Sequence, residues 1–266
     1  MPRYSSDMNI YNKDGTLLLA KDQELTEEII IKLRKFGAIK EINADAVHNE
    51  IEIFEYVRNL KDKFDKFDED LLNYSSIILT DILFTKSNSW YFCIKALSNY
   101  VDWVYAHTIN VALISLIIAF KLDYTKEMLN TLCLGCVLHD VGKLLIPKNI
   151  LQKPGKLSDQ EMILIKQHCE LGCSMIKDLD LPSDCTDIIL QHHERLDGSG
   201  YPYGLHSNKI SDNAKIAMIA DVLDAITSYR PYQNSRTINV AMEELKKDES
   251  KYSRNIIETL EKFFIM

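Results

Sequence analysis

Leu138-His139-Asp140-Val141-Gly142-Lys143 is the stretch that decides how this chain is read. The apolar run from Thr125 to Leu138 reads as a helix, it ends on an adjacent histidine and aspartate, and Gly142 permits an abrupt turn after them. Neighbours on a helix differ by about 100°, so His139 and Asp140 cannot share one helical face. At a helix end the backbone can aim both inward. As an isolated dipeptide the pair would be an ordinary surface feature. Its weight comes from the series around it: His107, then His139 with Asp140, His168, the doublet His192 and His193, and finally Asp221, which together take five of the seven histidines.

Each member has a bland reading when taken alone. His107 lies in an apolar helical stretch, where a satisfied core histidine is the ordinary explanation, and His168 at mid-helix would pass for a surface residue. Asp221 is harder to dismiss. It interrupts the apolar run Ile216-Ala217-Met218-Ile219-Ala220, where a carboxylate is costly to bury unless it is paired or holds a metal. Imidazole nitrogens and carboxylate oxygens from separated segments can converge on two divalent ions, and an aspartate has two oxygens with which to bridge them. The series therefore points to a metal-dependent, phosphate-cleaving centre.

Outward from that core, the chain beyond Asp70 is helical in pattern: Leu71 to Phe84, Trp90 to Phe120, Thr125 to Leu138, Ser158 to Leu179, Asp184 to His193, Ala214 to Thr227 and Ile238 to Phe264. Ser158 with Glu161 reads as a capping box, and Leu181-Pro182-Ser183-Asp184 as a break and restart. The fold class is an all-α bundle. Before it, residues 1–48 read as a small mixed α/β appendage. The turn signal Asn12-Lys13-Asp14-Gly15 precedes a strand over Leu17 to Ala20, a helix opens at Thr26 and ends at Gly37, and a second strand covers Ala38 to Ile42. Residues 49–95 read as helical linker and support, with Ile53, Phe54, Val57 and Leu60 at helical spacing, and a homodimer contact is the alternative use of that seam. Residues 96–266 form the main domain.

Composition narrows the partners. With 46% apolar and 26% charged residues and a formal charge of -8, the chain is ordinarily globular and lacks the broad basic face that binding a nucleic-acid polymer requires. A small phosphorylated ligand remains compatible, since two cations and a few local basic groups supply enough positive potential. The start, MPRYSSDMNIYNKDG, has no apolar segment behind a basic stretch, and the longest apolar run, Ile109 to Phe120, falls short of the ~20 residues of a membrane span. A cytoplasmic protein with no membrane partner is expected. The six cysteines lie in apolar helical segments and read as reduced core thiols, Cys133 and Cys136 included.

The segment His192-His193-Glu194-Arg195-Leu196-Asp197-Gly198-Ser199-Gly200-Tyr201-Pro202 gives the series a family. With HDVGK at 139–143, LQKPGKLS at 151–158 and ADVLDAITSYRPY at 220–232, it closely resembles the HD-GYP branch of the HD phosphohydrolases, over about Tyr100 to Ile238. The resemblance implies a phosphodiesterase that cleaves a cyclic dinucleotide, cyclic di-GMP, to pGpG or GMP. It implies two divalent ions, iron or manganese, with His107, His139, Asp140 and Asp221 on one, His168, His192 and His193 on the other, and Asp140 bridging. A hydroxide between the ions would be the nucleophile. Lys143 is implied to contact the scissile phosphate, Arg230 to bind phosphate, and Gly200, Tyr201 and Pro202 to form a loop beside the substrate. Glu194, Arg195 and Asp197 are assigned to structural hydrogen bonds, and His48 and His206 to the surface.

Two departures from the family pattern stand out. Some members bind a third ion through a glutamate one turn before the first histidine, and here that slot is Trp103, with Asp102 off the required face. A binuclear site is expected. After Arg230-Pro231-Tyr232 this chain has Gln233 where a basic residue often stands. That leaves open a binding module that does not turn substrate over, and a preference for a cyclic GMP-AMP hybrid.

Overall fold

A computed structural model describes residues 10–11, 17–19, 53, 55–60, 69–85, 88–228 and 235–264. The chain divides into two compact units, Met1–Glu52 and Ile53–Met266. In the first, β1 (Ile10–Tyr11) pairs antiparallel with β2 (Leu17–Leu19), so the turn signal at residues 12–15 joins two strands. β2 falls within the expected Leu17 to Ala20 strand, whereas β1 was not anticipated. The expected helix from Thr26, the strand over Ala38 to Ile42, and His48 lie outside the described residues.

Among the described residues the second unit is helical apart from loops and one isolated bridge. Its helices are α1 (Glu69–Phe84), α2 (Tyr91–Ser98), α3 (Asp102–Lys121), α4 (Lys126–Leu138), α5 (Lys148–Leu151), α6 (Asp159–Lys166), α7 (His168–Ile176), α8 (Ser183–Gln191), α9 (Asp212–Thr227), α10 (Ile238–Lys247) and α11 (Arg254–Phe264). α3 is the central helix. It is apolar all round, so it can only be satisfied by neighbours on every side, and it packs against α1, α4 and α9. By length and composition α3 could cross a membrane, but 83% of its apolar window is buried inside the protein. That burial is what a core helix requires.

Several helices are shorter than the pattern suggested. The run from Trp90 to Phe120 breaks at Asn99–Val101, and that from Ile238 to Phe264 breaks after Lys247. The run from Ser158 to Leu179 breaks at Gln167, whose amide donates to Leu164 O at 3.2 Å and to Ile165 O and so tightens the last turn of α6. The capping box at Ser158 and Glu161 is present, and α8 restarts directly after Pro182. Residues 55–60 are helical, with Ile53, Val57 and Leu60 buried in the core of this unit.

Gly142 also differs from expectation. It lies in a short 3-10 helix, Val141–Leu145, where no left-handed conformation is needed. What requires glycine is close approach: a Cβ there would stand 1.9 Å from the carbonyl oxygen of His168 and 2.6 Å from the amide of Gly172. The segment after Asp140 is thereby packed directly onto α7. All six cysteines are free thiols, with Cys133 and Cys136 fully buried and Cys136 Sγ donating to Ser115 Oγ at 3.3 Å.

Candidate metal centre

The helix breaks put the polar residues where helical geometry alone could not. His139 is the residue at which α4 ends, still helical at φ -54°, ψ -36°, while Asp140 has left the helix at φ -100°, ψ 10°. The adjacent pair can therefore face one pocket. His168 is the first residue of α7, not a mid-helix position, and is fully buried. His192 ends α8 and His193 follows it in a turn. His107 comes from α3 and Asp221 from α9.

Asp140 stands at the centre of the cluster, and its two oxygens face different histidines. Oδ2 lies 3.4 Å from His139 Nε2 and 3.8 Å from His107 Nε2. Oδ1 lies 3.3 Å from His168 Nε2 and 3.9 Å from His192 Nε2. Asp221 closes the other side, with Oδ1 at 3.0 Å from His107 Nε2 and Oδ2 at 3.4 Å from His193 Nδ1. Three overlapping groups bring their donor atoms within 4.8 Å of one another: His107, His139 and Asp221; His139, Asp140 and His192; and His168, His192 and His193.

The tautomers follow from the other ring nitrogens. His139 Nδ1 faces Cys136 O at 2.6 Å, His168 Nδ1 faces Ile165 O at 2.6 Å, and His192 Nδ1 faces Ile189 O at 3.0 Å and Ile188 O at 3.1 Å. A carbonyl oxygen only accepts, so each Nδ1 carries the proton and each neutral ring keeps a bare lone pair on Nε2. Those lone pairs converge. His168 Nε2 and His192 Nε2 are 3.2 Å apart, and His139 Nε2 and Asp140 Oδ1 are buried without a hydrogen-bond partner. Buried acceptors facing one another repel unless a cation stands among them. Imidazoles anchored at Nδ1 and paired with carboxylates are the donor set that divalent transition metals take, so the residues present fit such ions.

Electrostatics point the same way. Burial pushes His168 from the usual 6.5 down to about 4, and burial, then the neighbouring histidines, holds His192 and His193 well below the imidazole range. All three are neutral at physiological pH. Burial alone would raise the carboxyl of Asp140, but Lys143, then His139, more than offset it and hold it well below the usual range. Asp221 is held low against burial by its neighbours His107, first, and His193. Cys169 Sγ lies 3.6 Å from His168 Nε2, but burial first and then Asp140 push its thiol up, so it stays protonated.

Lys143 Nζ is 2.5 Å from Asp140 Oδ2 and 5.6 Å from the centre of the Trp103 ring. Trp103 is thus the half-buried neighbour of that lysine in the slot where a third-ion glutamate would stand, while Asp102 is exposed. The 200–202 loop reaches the cluster through Tyr201, whose ring stacks on His193 with centroids 4.7 Å apart at 31°. Gly200 is required by packing, since a Cβ would lie 2.4 Å from both Arg195 N and Glu194 Cα, and the Tyr201-Pro202 bond is cis. Glu194, fully buried, accepts from the amides of Tyr203 at 2.8 Å and Leu205 at 2.9 Å. Asp197 accepts from the Ser199 amide at 3.0 Å and bridges to His206, which is exposed. Arg230 and Gln233 lie outside the described residues.

One residue of the pocket wall escaped the sequence reading. Asp224 Oδ2 lies 2.6 Å from His107 Nδ1, and its Oδ1 accepts from Asn110 Nδ2 at 2.8 Å and from Ser228 Oγ at 2.5 Å. The signal was present: Asp224 stands three residues after Asp221 in an apolar helix, and Asn110 three after His107, so each pair shares a helix face.

A model of the HD domain family matches residues 92–256, more than half of the chain. A cyclic di-GMP phosphodiesterase of Pseudomonas aeruginosa is 39% identical over 133 residues, covering 50% of this chain and 32% of the relative. Another cyclic di-GMP phosphodiesterase, of Thermotoga maritima, is 36% identical over 169 residues, 62% of this chain and 46% of the relative. A 3'3'-cGAMP-specific phosphodiesterase of Vibrio cholerae is 37% identical over 150 residues, 55% of this chain and 35% of the relative. The chain thus matches between about a third and a half of the length of these relatives. An HDG"Y"P protein from Bdellovibrio bacteriovorus shares the fold, with a TM-score of 0.56 at 20% identity over 97% of this chain and 94% of that one. The chain belongs to the HD-domain family, and within it to the HD-GYP branch.

Proposed function

We propose that this chain is a metal-dependent phosphodiesterase that opens cyclic di-GMP to linear pGpG or to GMP, with two iron or manganese ions as its cofactors. The observation that carries the reading is Asp140, whose two oxygens face separate sets of histidine lone pairs. The relatives support the substrate class, since those named above act on cyclic di-GMP or on 3'3'-cGAMP.

In this reading His107, His139, Asp140 and Asp221 would hold one ion, and His168, His192, His193 and Asp140 the other. When bound, the ions supply Lewis acidity that polarises the phosphate and acidifies water. The remaining work falls to the chain. Asp140 fixes the spacing of the two pockets by offering one oxygen to each, and the backbone carbonyls behind His139, His168 and His192 hold those rings with their lone pairs inward. Lys143, 7% exposed, keeps a positive charge beside Asp140, where it can donate to a phosphate oxygen and offset charge in the transition state. Tyr201 walls the pocket beside His193, and its loop is tied down through Glu194. Arg230 is proposed from the sequence alone to bind phosphate. Trp103 in the third-ion slot favours two ions over three.

The test is to incubate anaerobically purified protein, loaded with iron or manganese, with cyclic di-GMP and with 3'3'-cGAMP, and to separate products by chromatography. Appearance of pGpG, abolished by Asp140→Ala, is expected. Tight binding of both dinucleotides with no product from either would contradict the reading and favour a binding module instead.

A further inference from the structure

The two cation pockets are not chemically equal. His139, His168 and His192 each turn Nδ1 to a neutral backbone carbonyl, whereas His107 turns Nδ1 to the carboxylate of Asp224 at 2.6 Å. Asp224 accepts from Asn110 and Ser228 as well, so its oxygens are acceptors and the His107 proton resides on Nδ1. Its carboxylate is fully buried. A carboxylate behind an imidazole makes the other nitrogen a more basic ligand than a carbonyl does, and it fixes the ring's orientation.

Charge adds to this difference. The pocket of His107 and His139 has Asp221 and Asp140 within reach and Asp224 one ring behind, three carboxylates in all. The pocket of His168, His192 and His193 is a group of imidazoles, in which His168 and His192 approach Asp140 and His193 approaches Asp221, with no further carboxylate among the described residues behind a ring. At this burial, the one additional negative charge, that of Asp224, favours a dication in the first pocket.

We propose that Asp224 is a positioning residue that makes the His107, His139 and Asp221 pocket the tighter of the two, so that ions load there first and leave there last. The inference rests on reading the cluster as a two-cation site. It assigns Asp224 no contact with metal or substrate and acts through His107.

The test is titration of the metal-free full chain with manganese, following free manganese by electron paramagnetic resonance, with no substrate present. Two classes of site are expected. Asp224→Asn keeps the shape but removes the charge, and should weaken the tight class by about 10- to 100-fold while leaving the weak class within about two-fold. Thermal unfolding of the metal-free variant checks that it folds. Should it not, Ser228→Ala removes one hydrogen bond to Asp224 without touching His107, and should weaken the same class by a few-fold, roughly the worth of one hydrogen bond. Two classes with affinities unchanged in a folded Asp224→Asn, or a loss confined to the weak class, would overturn the proposal alone. A single bound ion would overturn it together with the two-cation reading.

Discussion

Lys143 Nζ lies 2.5 Å from Oδ2 of Asp140, a carboxylate with 0% exposure at the centre of the histidine cluster. Without metal this lysine is the strongest positive influence on that carboxylate. Removing one partner of a buried pair leaves an uncompensated charge, at a cost of about 3 kcal/mol or more. Lys143→Met should therefore destabilise the metal-free protein by about that amount and the manganese-loaded protein by much less, because cations then serve Asp140. Paired thermal melts of the two forms check this, and equal losses in both would argue against metal at Asp140.

Gly142 supplies a second test. Gly142→Ala puts a methyl group 1.9 Å from His168 O, against backbone that cannot rotate aside. α7 must move, carrying His168 with it. A loss of at least about 2 kcal/mol is expected, of the size of overpacking in a core, together with weaker metal binding. Chemical denaturation and metal titration of the variant measure both, and an unchanged midpoint would mean that the contact is not tight in solution.

Glu194→Ala should act on substrate more than on metal. It frees the amides of Tyr203 and Leu205 and so loosens the loop that holds Tyr201 against His193. Each of these part-buried hydrogen bonds contributes about 0.5–1.5 kcal/mol. The expected signature is a raised KM for the dinucleotide with manganese affinity little changed, read from steady-state kinetics beside a metal titration. A loss of metal with KM unaltered would assign Glu194 to the wrong part of the site.

How far these features could be read from the sequence depended on whether the signal was local. Helices of the bundle announced themselves through apolar spacing, and Ser158 with Glu161 marked a true start. The break at Gln167 carried no proline or glycine, so His168 read as mid-helix and, taken alone, would have passed for a surface residue, whereas it is fully buried as the first residue of α7. Gly142 looked like a turn because the sequence cannot display the backbone of His168 pressed against it. The cluster was visible as a series of residue types, yet the division of Asp140 between two sets of histidines exists only in three dimensions. Asp224 was overlooked because its partner lies 117 positions away.

Acid should destabilise the metal-free protein in a defined window. The folded-state pKa of His168 is depressed from 6.5 to about 4, and those of His192 and His193 lie well below 6.5. Depressed histidines contribute their full stability above about 6.5 and lose it as pH falls toward 4, since the unfolded chain takes up protons first. Asp140 and Asp221, held well below 3.8, add a further loss at still lower pH. Melting temperatures across that range, measured without metal, should be level near neutrality and fall steadily below about 6.5. A flat or rising profile would mean that the imidazoles are not buried as neutral rings.

Elemental analysis of protein purified without oxygen decides whether this cluster is a two-cation centre. Two equivalents of iron or manganese per chain are expected, reduced to one or fewer in Asp140→Ala. Protein that carries no transition metal, and takes up none when it is offered, would contradict that assignment.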